Sequence, residues 1–198
     1  SDTDFTGRGG LYTEHKDRSD FDIQPSHART HDERISFADA MQDAEFCYSP
    51  LGSHGGDTDR YVPATLFGCV PIMLNTSHNS LAVPQSLPLE EVLPWEAFST
   101  IVNSVDIPQL HKHLECLLPS APALRTGLQS VWRRLLWSSL YRSYLNEPSG
   151  RAAVEDPNNG DAFATLMQVL AQRVPHGYKP SPEAMARLNH PAEKWTCH

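Results

Sequence analysis

The stretch best suited to chemistry is a glycine-rich one, Leu51 to Thr58, followed two residues later by Arg60. Free backbone N–H groups in such a turn, and the positive end of a following helix, attract an anion, above all a diphosphate. Arg60 would add a bidentate contact to phosphate oxygens, and Gly52 and Ser53 would lie in the same turn. The stretch matches neither the Walker loop nor the GxGxxG pattern, so the fingerprints of ATP and NAD binding are absent.

A structural interpretation of the same stretch stands beside this one. Glycine and aspartate form turns in every class of protein. Arg60 could pair with Asp57 or Asp59 instead of a phosphate, and Thr58 could serve as a helix N-cap instead of offering its hydroxyl to a ligand. Spacing alone leaves both interpretations open.

Two segments flank this turn and would position it. Glu45 to Ser49 is strand-like, and Cys69 to Leu74 is short, apolar and bounded by turn signals, which is typical of a buried strand. A helix ending near Gly68 would connect them. The order strand, turn, helix, strand predicts a parallel pair joined by a right-handed crossover, and such units bind ligands outside the carboxyl ends of their strands.

The remaining chain divides into three predicted parts. Residues 1–31 are polar and predicted to be loop, with 21–23 as the one short strand, while 175–198 form a proline-rich tail. Residues 32–174 form the predicted domain. Within it we expect a helix over 32–44, a long loop over 75–88, a strand over 99–102 and helices beyond residue 106, the last of them marked by Phe163, Leu166, Met167 and Leu170. The predicted class is α/β: a short parallel sheet with a helical C-terminal cap.

Composition excludes some classes of protein. The chain carries 16 Lys and Arg against 24 Asp and Glu, a net charge of −8, which argues against nucleic acid as a partner. No apolar run approaches the roughly 20 residues of a membrane span. The sequence opens without a secretory signal and begins with Ser rather than Met, so we expect a piece of a longer protein.

The cysteines and histidines predict no metal site. The four cysteines lack CxxC spacing, and each could simply be a small buried hydrophobe. If Cys47 and Cys69 lie on neighbouring strands, an oxidised protein could bridge them. The even cysteine count and the sequon at Asn75 are compatible with the secretory pathway and with glycosylation of Asn75.

Four motifs, in order, resemble the exostosin signature of glycosyltransferase family 47. E-F-C-Y-S-P-L-G at 45–52 is similar to the family's S-x-F-C-L-x-P-x-G, and T-D-R at 58–60 to its Ser-x-Arg step. F-G-C-V-P-I at 67–72 resembles G-C-I-P-V, and P-L-E-E-V-L-P-W-E-A-F-S at 88–99 resembles P-F-E-x-x-L-x-W-x-x-F-S. The resemblance covers about residues 33–145.

The resemblance implies a fold and a set of roles. The family's transferases have two facing Rossmann-like lobes, use no catalytic metal, and bind the sugar nucleotide in the C-terminal lobe, which this chain resembles. The 52–60 turn would face the diphosphate of a UDP-sugar, with Arg60 offsetting leaving-group charge in an inverting displacement. Asn75, Thr76 and Glu90 would lie near the sugar or ribose, and Asn75 cannot easily be both a ligand contact and a glycan carrier. No cofactor beyond the donor substrate is implied.

The sequence also departs from the family pattern. Family members usually carry Asp or Glu five residues before the glycine of G-C, where the carboxylate can bind the ribose, and here that residue is Pro63. The partner lobe and its acceptor-activating base have no counterpart in this chain, so no catalytic residue is assigned.

These observations support three hypotheses. The first is the donor-binding lobe of an exostosin-like enzyme of the Golgi lumen or secretory pathway, with a nucleotide sugar and a glycan or glycoprotein acceptor as partners. The alternative is a non-catalytic exostosin-type module that binds proteins in a larger assembly. A nucleotide-binding module unrelated to sugars would explain the turn but not the motif at 88–99.

Overall fold

The centre of the fold is a three-stranded parallel sheet. A computed structural model describes residues 8–23, 37–50, 59–75, 87–137 and 160–173 of the chain. The strands are β1 (Phe46–Ser49), β2 (Val70–Asn75) and β3 (Thr100–Asn103), in the order β1-β2-β3. Both neighbouring pairs are parallel, so the predicted α/β class is confirmed, and each strand begins one residue after its predicted start.

Helices cover both faces of this sheet. The α-helices of the described residues are α1 (Arg8–His15), α2 (Phe37–Asp43), α3 (Tyr61–Leu66), α4 (Leu110–Leu117), α5 (Ala121–Val131) and α6 (Ala162–Arg173). Short 3₁₀ helices occupy Trp95–Ala97, Ser104–Gln109, Leu118–Ser120 and Trp132–Leu135. No helix of these residues is long and apolar enough to cross a bilayer.

Strand β2 divides the core into two clusters because successive side chains point to opposite faces of a sheet. Met73 belongs to a cluster with Trp95, Phe98 and residues of α5, and we call this side the α5 face. Ile72 and Leu74 belong to a second cluster with Leu110 of α4, and we call this side the α4 face. Every residue of β2 from Val70 to Leu74 is buried, as expected for the central strand of a covered parallel sheet.

A disulfide fixes the start of the sheet. Cys47 in β1 is bonded to Cys69, the residue before β2, with 5.7 Å between their Cα atoms. The predicted bridge is confirmed, and closing a loop over 22 residues stabilises the fold by roughly 3 kcal/mol. Cys116 is also disulfide-bonded, so the interpretation of these three cysteines as free buried hydrophobes is wrong.

The loop predicted over residues 1–31 is wrong where the structure describes it. Residues 8–15 form α1, and residues 21–23 form no strand. Two glycines make α1 a poor helix by propensity, but tertiary contacts override that preference. Gly10 lies against Ile107, where a Cβ would make an ordinary van der Waals contact of 3.6 Å with the Ile107 side chain. Phe21 packs instead on the α4-face cluster.

Helix α6 is present where predicted, but three of the four apolar residues that marked it are exposed to solvent. Phe163, Met167 and Leu170 are exposed, whereas Ala162, Thr165 and Val169 are buried. The buried residues are small, which lets α6 pack closely on the 3₁₀ helix Trp132–Leu135. The apolar spacing therefore predicted the helix correctly and left open which side it buries.

Candidate donor-binding site

The carboxyl ends of the three strands meet at one edge of the sheet. Ser49, Asn75 and Asn103 are the last residues of β1, β2 and β3, and Asn75 and Asn103 are direct partners in the register. Ligands of parallel α/β sheets bind at this edge, so the predicted ligand site would lie here. Gly52, Ser53, Thr58 and Thr76 lie outside the described residues, as does the side chain of Asn75, so their predicted roles remain predictions.

Arg60 immediately precedes α3, with its side chain exposed. Its backbone is helical, and its carbonyl accepts a hydrogen bond from the Ala64 N–H at 3.2 Å. The N–H of Val62 donates to the Asp59 carbonyl at 2.9 Å in the same way. Arg60 therefore lies on a regular turn that fixes its Cα, and its side chain is exposed at the surface.

Pro63 does not break α3, because the helix starts only at Tyr61. Proline is tolerated in the first turn of a helix, where its missing N–H has no acceptor to lose. Its carbonyl still accepts from the Phe67 N–H at 3.0 Å. The substitution thus removes a carboxylate from this position without disturbing the helix.

Glu90 lies half-buried in a tight turn that begins at Leu87. The Glu90 N–H donates to the Leu87 carbonyl at 3.2 Å, and the Val92 N–H donates to the Leu89 carbonyl at 3.0 Å. Leu89 has a φ of 55°, a left-handed conformation that costs a non-glycine residue on the order of 1 kcal/mol. Such strain persists only where surrounding contacts hold it, and it concentrates at functional sites.

One aromatic cluster joins the Glu90 turn to the start of α3. The Trp95 ring lies 5.2 Å from the ring of Tyr61, the residue after Arg60, and 4.8 Å from that of Phe98. Trp95 Nε1 donates to the Pro88 carbonyl at 2.8 Å. Trp95 and Phe98 are fully buried, so the backbones that carry Arg60 and Glu90 are tied to one rigid cluster on the α5 face.

Two further polar residues at this edge were missed by the sequence analysis. The Ser49 hydroxyl is buried and has no hydrogen-bond partner in the part of the chain that the structure describes. The Asn103 amide donates to the Asp106 carboxylate at 3.0 Å. Each is the last residue of its strand, so the rule that ligands bind at carboxyl ends would have marked both residues.

The opposite edge of the sheet is held by Arg125 of α5. Its guanidinium donates to the Ala44 carbonyl at 3.2 Å and to the Gly68 carbonyl at 3.3 Å, and pairs with the Glu45 carboxylate at 3.1 Å. Gly68, at φ 81°, ends α3 in a left-handed conformation that suits glycine. Arg125 therefore fixes the amino ends of β1 and β2, away from the predicted site.

Histidines of the described part form no metal centre, since no three His, Cys, Asp or Glu side chains there share a common point. His113 Nε2 lies 3.0 Å from the Thr100 hydroxyl, whereas His111 packs edge-on against His15 at 5.5 Å. The two α4 histidines thus face different neighbours, as expected for residues two apart on a helix.

The family follows from a direct comparison. The family model for the Exostosin GT47 domain matches residues 4–117, more than half of the 198 residues. The chain belongs to the exostosin GT47 family. Its sheet is therefore part of a glycosyltransferase domain, and the predicted resemblance is confirmed.

Plant proteins of this exostosin family align with most of the chain. A probable glucuronosyltransferase of rice, Oryza sativa subsp. japonica, is 30% identical over 86% of this chain and 34% of its own length. A probable beta-1,4-xylosyltransferase of Arabidopsis thaliana is 30% identical over 85% of this chain and 34% of its own length. A probable glycosyltransferase of Arabidopsis thaliana is 37% identical over 42% of this chain and 15% of its own length.

This exostosin domain spans about a third of the length of the first two relatives. The family match contains Arg60, Glu90 and Pro63 and ends with α4, so α5 and α6 lie beyond it. It begins at residue 4 and includes α1. The predicted boundaries at residues 31 and 174 remain predictions.

Proposed function

We propose that this exostosin domain is the donor-binding lobe of a glycosyltransferase that moves a sugar from a UDP-activated donor to a glycan or glycoprotein acceptor. The observation that carries the proposal is the placement of Arg60. It is an exposed guanidinium at the start of the helix that follows β1, and the chain's relatives include a probable glucuronosyltransferase and a probable beta-1,4-xylosyltransferase.

In the proposed site, Arg60 binds the diphosphate of the donor. A guanidinium offers a fork of N–H donors that matches phosphate oxygens in two parallel hydrogen bonds. As the bond between sugar and diphosphate breaks, negative charge grows on the leaving oxygen, and Arg60 stabilises that charge. Hydroxyl groups of the sugar or ribose would donate hydrogen bonds to Glu90. They would also donate to Asn75, the last residue of β2, and to Thr76, the residue after it.

The proposed compartment is the Golgi lumen or another part of the secretory pathway. The Cys47–Cys69 disulfide supports it, because structural disulfides persist in oxidising compartments and are rare in the cytosol.

Pro63 supports the alternative, a non-catalytic exostosin-type module that serves protein partners in a larger assembly. At the position where the family usually offers a carboxylate to the ribose, proline has no side-chain acceptor. The regular start of α3 means that this loss is local and that the domain keeps its shape without it.

Isothermal titration of the full chain with UDP separates the two functions. We expect UDP to bind, and Arg60→Ala to weaken binding by about a hundredfold, the effect of losing a charge-assisted bidentate contact. Arg18→Ala is the matched control, because Arg18 pairs with Asp20 at 2.7 Å and lies over the ring of Phe21, which packs on the α4 face, whereas the Glu90 turn packs on the α5 face. Absence of heat with both UDP and GDP would support the non-catalytic module.

A further inference from the structure

Two arginines, one in α6 and one in the 3₁₀ helix Trp132–Leu135, each donate a hydrogen bond to the turn that carries Glu90, and a third hydrogen bond joins the second arginine to α6. Arg173 Nε, in the last turn of α6, donates to Glu91 Oε1 at 2.6 Å. Arg134 Nη1 donates to the Val92 carbonyl at 2.7 Å, and its Nη2 donates to the Gln168 side chain of α6 at 2.9 Å. The two residues that follow Glu90 are thus both held by arginines.

The Glu91–Arg173 pair is partly shielded from water, unlike most surface ion pairs. The Glu91 side chain is 19% exposed and that of Arg173 38% exposed. Burial raises the pKa of Glu91, but the hydrogen bond from Arg173, a backbone hydrogen bond and the Arg173 charge together hold that pKa below its ordinary value. Glu91 Oε2 is buried and has no hydrogen-bond partner among the described residues, so Arg173 is the charged group there that compensates the carboxylate.

Arg134 is bound to the same turn through neutral acceptors. Partial burial lowers the pKa of its guanidinium, as expected for a half-buried cation whose acceptors are neutral. A half-buried guanidinium loses free energy when its hydrogen-bond acceptors move away. The hydrogen bond from Arg134 therefore restrains the position of the Val92 carbonyl.

The turn needs such restraint because Leu89 adopts a left-handed conformation. Trp95 holds the first part of the turn through the Pro88 carbonyl. The arginine contacts hold the part that follows Glu90. Glu90 therefore sits between two fixed points, one supplied by the aromatic cluster and one by the C-terminal part of the chain.

We propose that Arg173 and Arg134 are positioning residues that hold the Glu90 turn in its donor-binding geometry. This inference rests on the proposed function and extends it beyond residue 117, where the family match ends. Glu91 lies beside the motif glutamate Glu90 and pairs with a residue 82 positions away. Helix α6 is then part of the donor site's support.

The test compares Arg173→Met with Arg173→Lys in the full chain, using UDP as the probe. The methionine removes the charge and keeps much of the side-chain length, whereas the lysine keeps the ion pair. We expect the UDP dissociation constant to rise about fivefold in Arg173→Met, the upper end of what a partly exposed ion pair contributes. Arg173→Lys should remain within about twofold of wild type by the same reasoning. Glu91→Gln, which keeps the side-chain volume, repeats the test from the other partner.

Arg18→Met is the matched control. Arg18 forms an ion pair with Asp20 at 2.7 Å and is 34% exposed, close to the value for Arg173, but it belongs to the α4 face. UDP binding should be unchanged in this variant. Hydrogen exchange without nucleotide should quicken at 87–94 in Arg173→Met and stay as in wild type in Arg18→Met.

Two results would overturn the positioning role: UDP binding by Arg173→Met equal to that of wild type, or faster exchange spread evenly over the whole chain. Failure of the wild type to bind UDP would count against the proposed function alone. In that case amide exchange alone tests whether Arg173 restrains the Glu90 turn. Unchanged exchange at 87–94 in Arg173→Met would refute the restraint, and faster exchange confined to 87–94 would support it.

Discussion

Helices α1 and α6 lie on opposite faces of the sheet and are attached by different kinds of contact. Helix α1 packs on the 3₁₀ helix Ser104–Gln109 through a buried histidine: His15 Nε2 donates to the Ile107 carbonyl at 2.8 Å, and the ring stacks on Phe21 at 4.6 Å. Helix α6 packs through small side chains and through its hydrogen bonds with Arg134 and Glu91.

The difference shows that apolar periodicity and burial are separate properties of a helix. Helix α1 has little apolar pattern yet is firmly attached by one aromatic, hydrogen-bonding side chain. Helix α6 has a clear pattern at 163, 166, 167 and 170, but buries the side defined by Ala162, Thr165 and Val169. Which face a helix buries is decided by what lies opposite it, and that information is not local in sequence.

Replacing His15 is the strongest test of this comparison. His15→Ala removes a buried ring and its hydrogen bond to the Ile107 carbonyl, which keeps only the Leu110 N–H as a donor, so we expect the free energy of unfolding to fall by about 3 kcal/mol. Urea unfolding monitored by circular dichroism measures it. Tyr12→Ala, an exposed position of the same helix, should stay within about 0.5 kcal/mol of wild type. Equal midpoints for the two variants would mean that α1 is not held by His15.

A pair of substitutions in α6 sharpens the same comparison. Val169 is buried and Met167, two residues earlier, is 49% exposed. Val169→Ala should lower the free energy of unfolding by about 2 kcal/mol because it leaves a cavity, and Met167→Ala by less than about 0.5 kcal/mol. The same urea titration compares them. A larger loss of unfolding free energy in Met167→Ala than in Val169→Ala would show that α6 buries the side marked by its apolar pattern.

Local patterns were sufficient to predict the sheet. Each strand is a short apolar segment between turn signals, and the intervening helix makes a parallel pair the expected arrangement, so β1, β2 and β3 were each placed to within one residue. The disulfide followed from the same placement, since Cys47 and Cys69 come together only if the two strands pair. Helix α1 was missed because its anchor, His15, acts on a carbonyl 92 residues away.

The candidate site was predictable to the extent that it depends on short motifs. Arg60 and Glu90 were selected by spacing and by family resemblance, and the structure adds the aromatic cluster that ties their segments together. The contacts that hold the Glu90 turn were not predictable, because the Glu91–Arg173 pair spans 82 residues. Glu91 occupies a variable position of the 88–99 motif, and Arg173 lies outside every motif. A contact of that range depends on the folded topology and leaves no periodic signal in the sequence.

The smallest expected effect is a difference between the two faces in their response to acid. Burial lowers the pKa of His113 on the α4 face, and the charge of Asp106 offsets only part of that shift. The folded state therefore binds a proton at His113 less readily than the unfolded state does. The contribution of neutral His113 to the free energy of unfolding is complete above its ordinary pKa of 6.5 and declines as the pH falls below that value. On the α5 face the depressed pKa belongs to Glu91, whose contribution is complete above 4.5 and declines only at lower pH.

Acidification from pH 7.5 to 5.5 should thus weaken the α4 face before the Glu91–Arg173 pair responds. We expect His113→Gln to reduce the slope of unfolding free energy against pH in that range, because glutamine can still meet the Thr100 hydroxyl but does not titrate. Glu91→Gln should leave the slope there unchanged and alter it only below about pH 4.5. Urea unfolding at closely spaced pH values measures both slopes. If His113→Gln and wild type share one slope between pH 7.5 and 5.5, the buried histidine does not set the acid response of the α4 face.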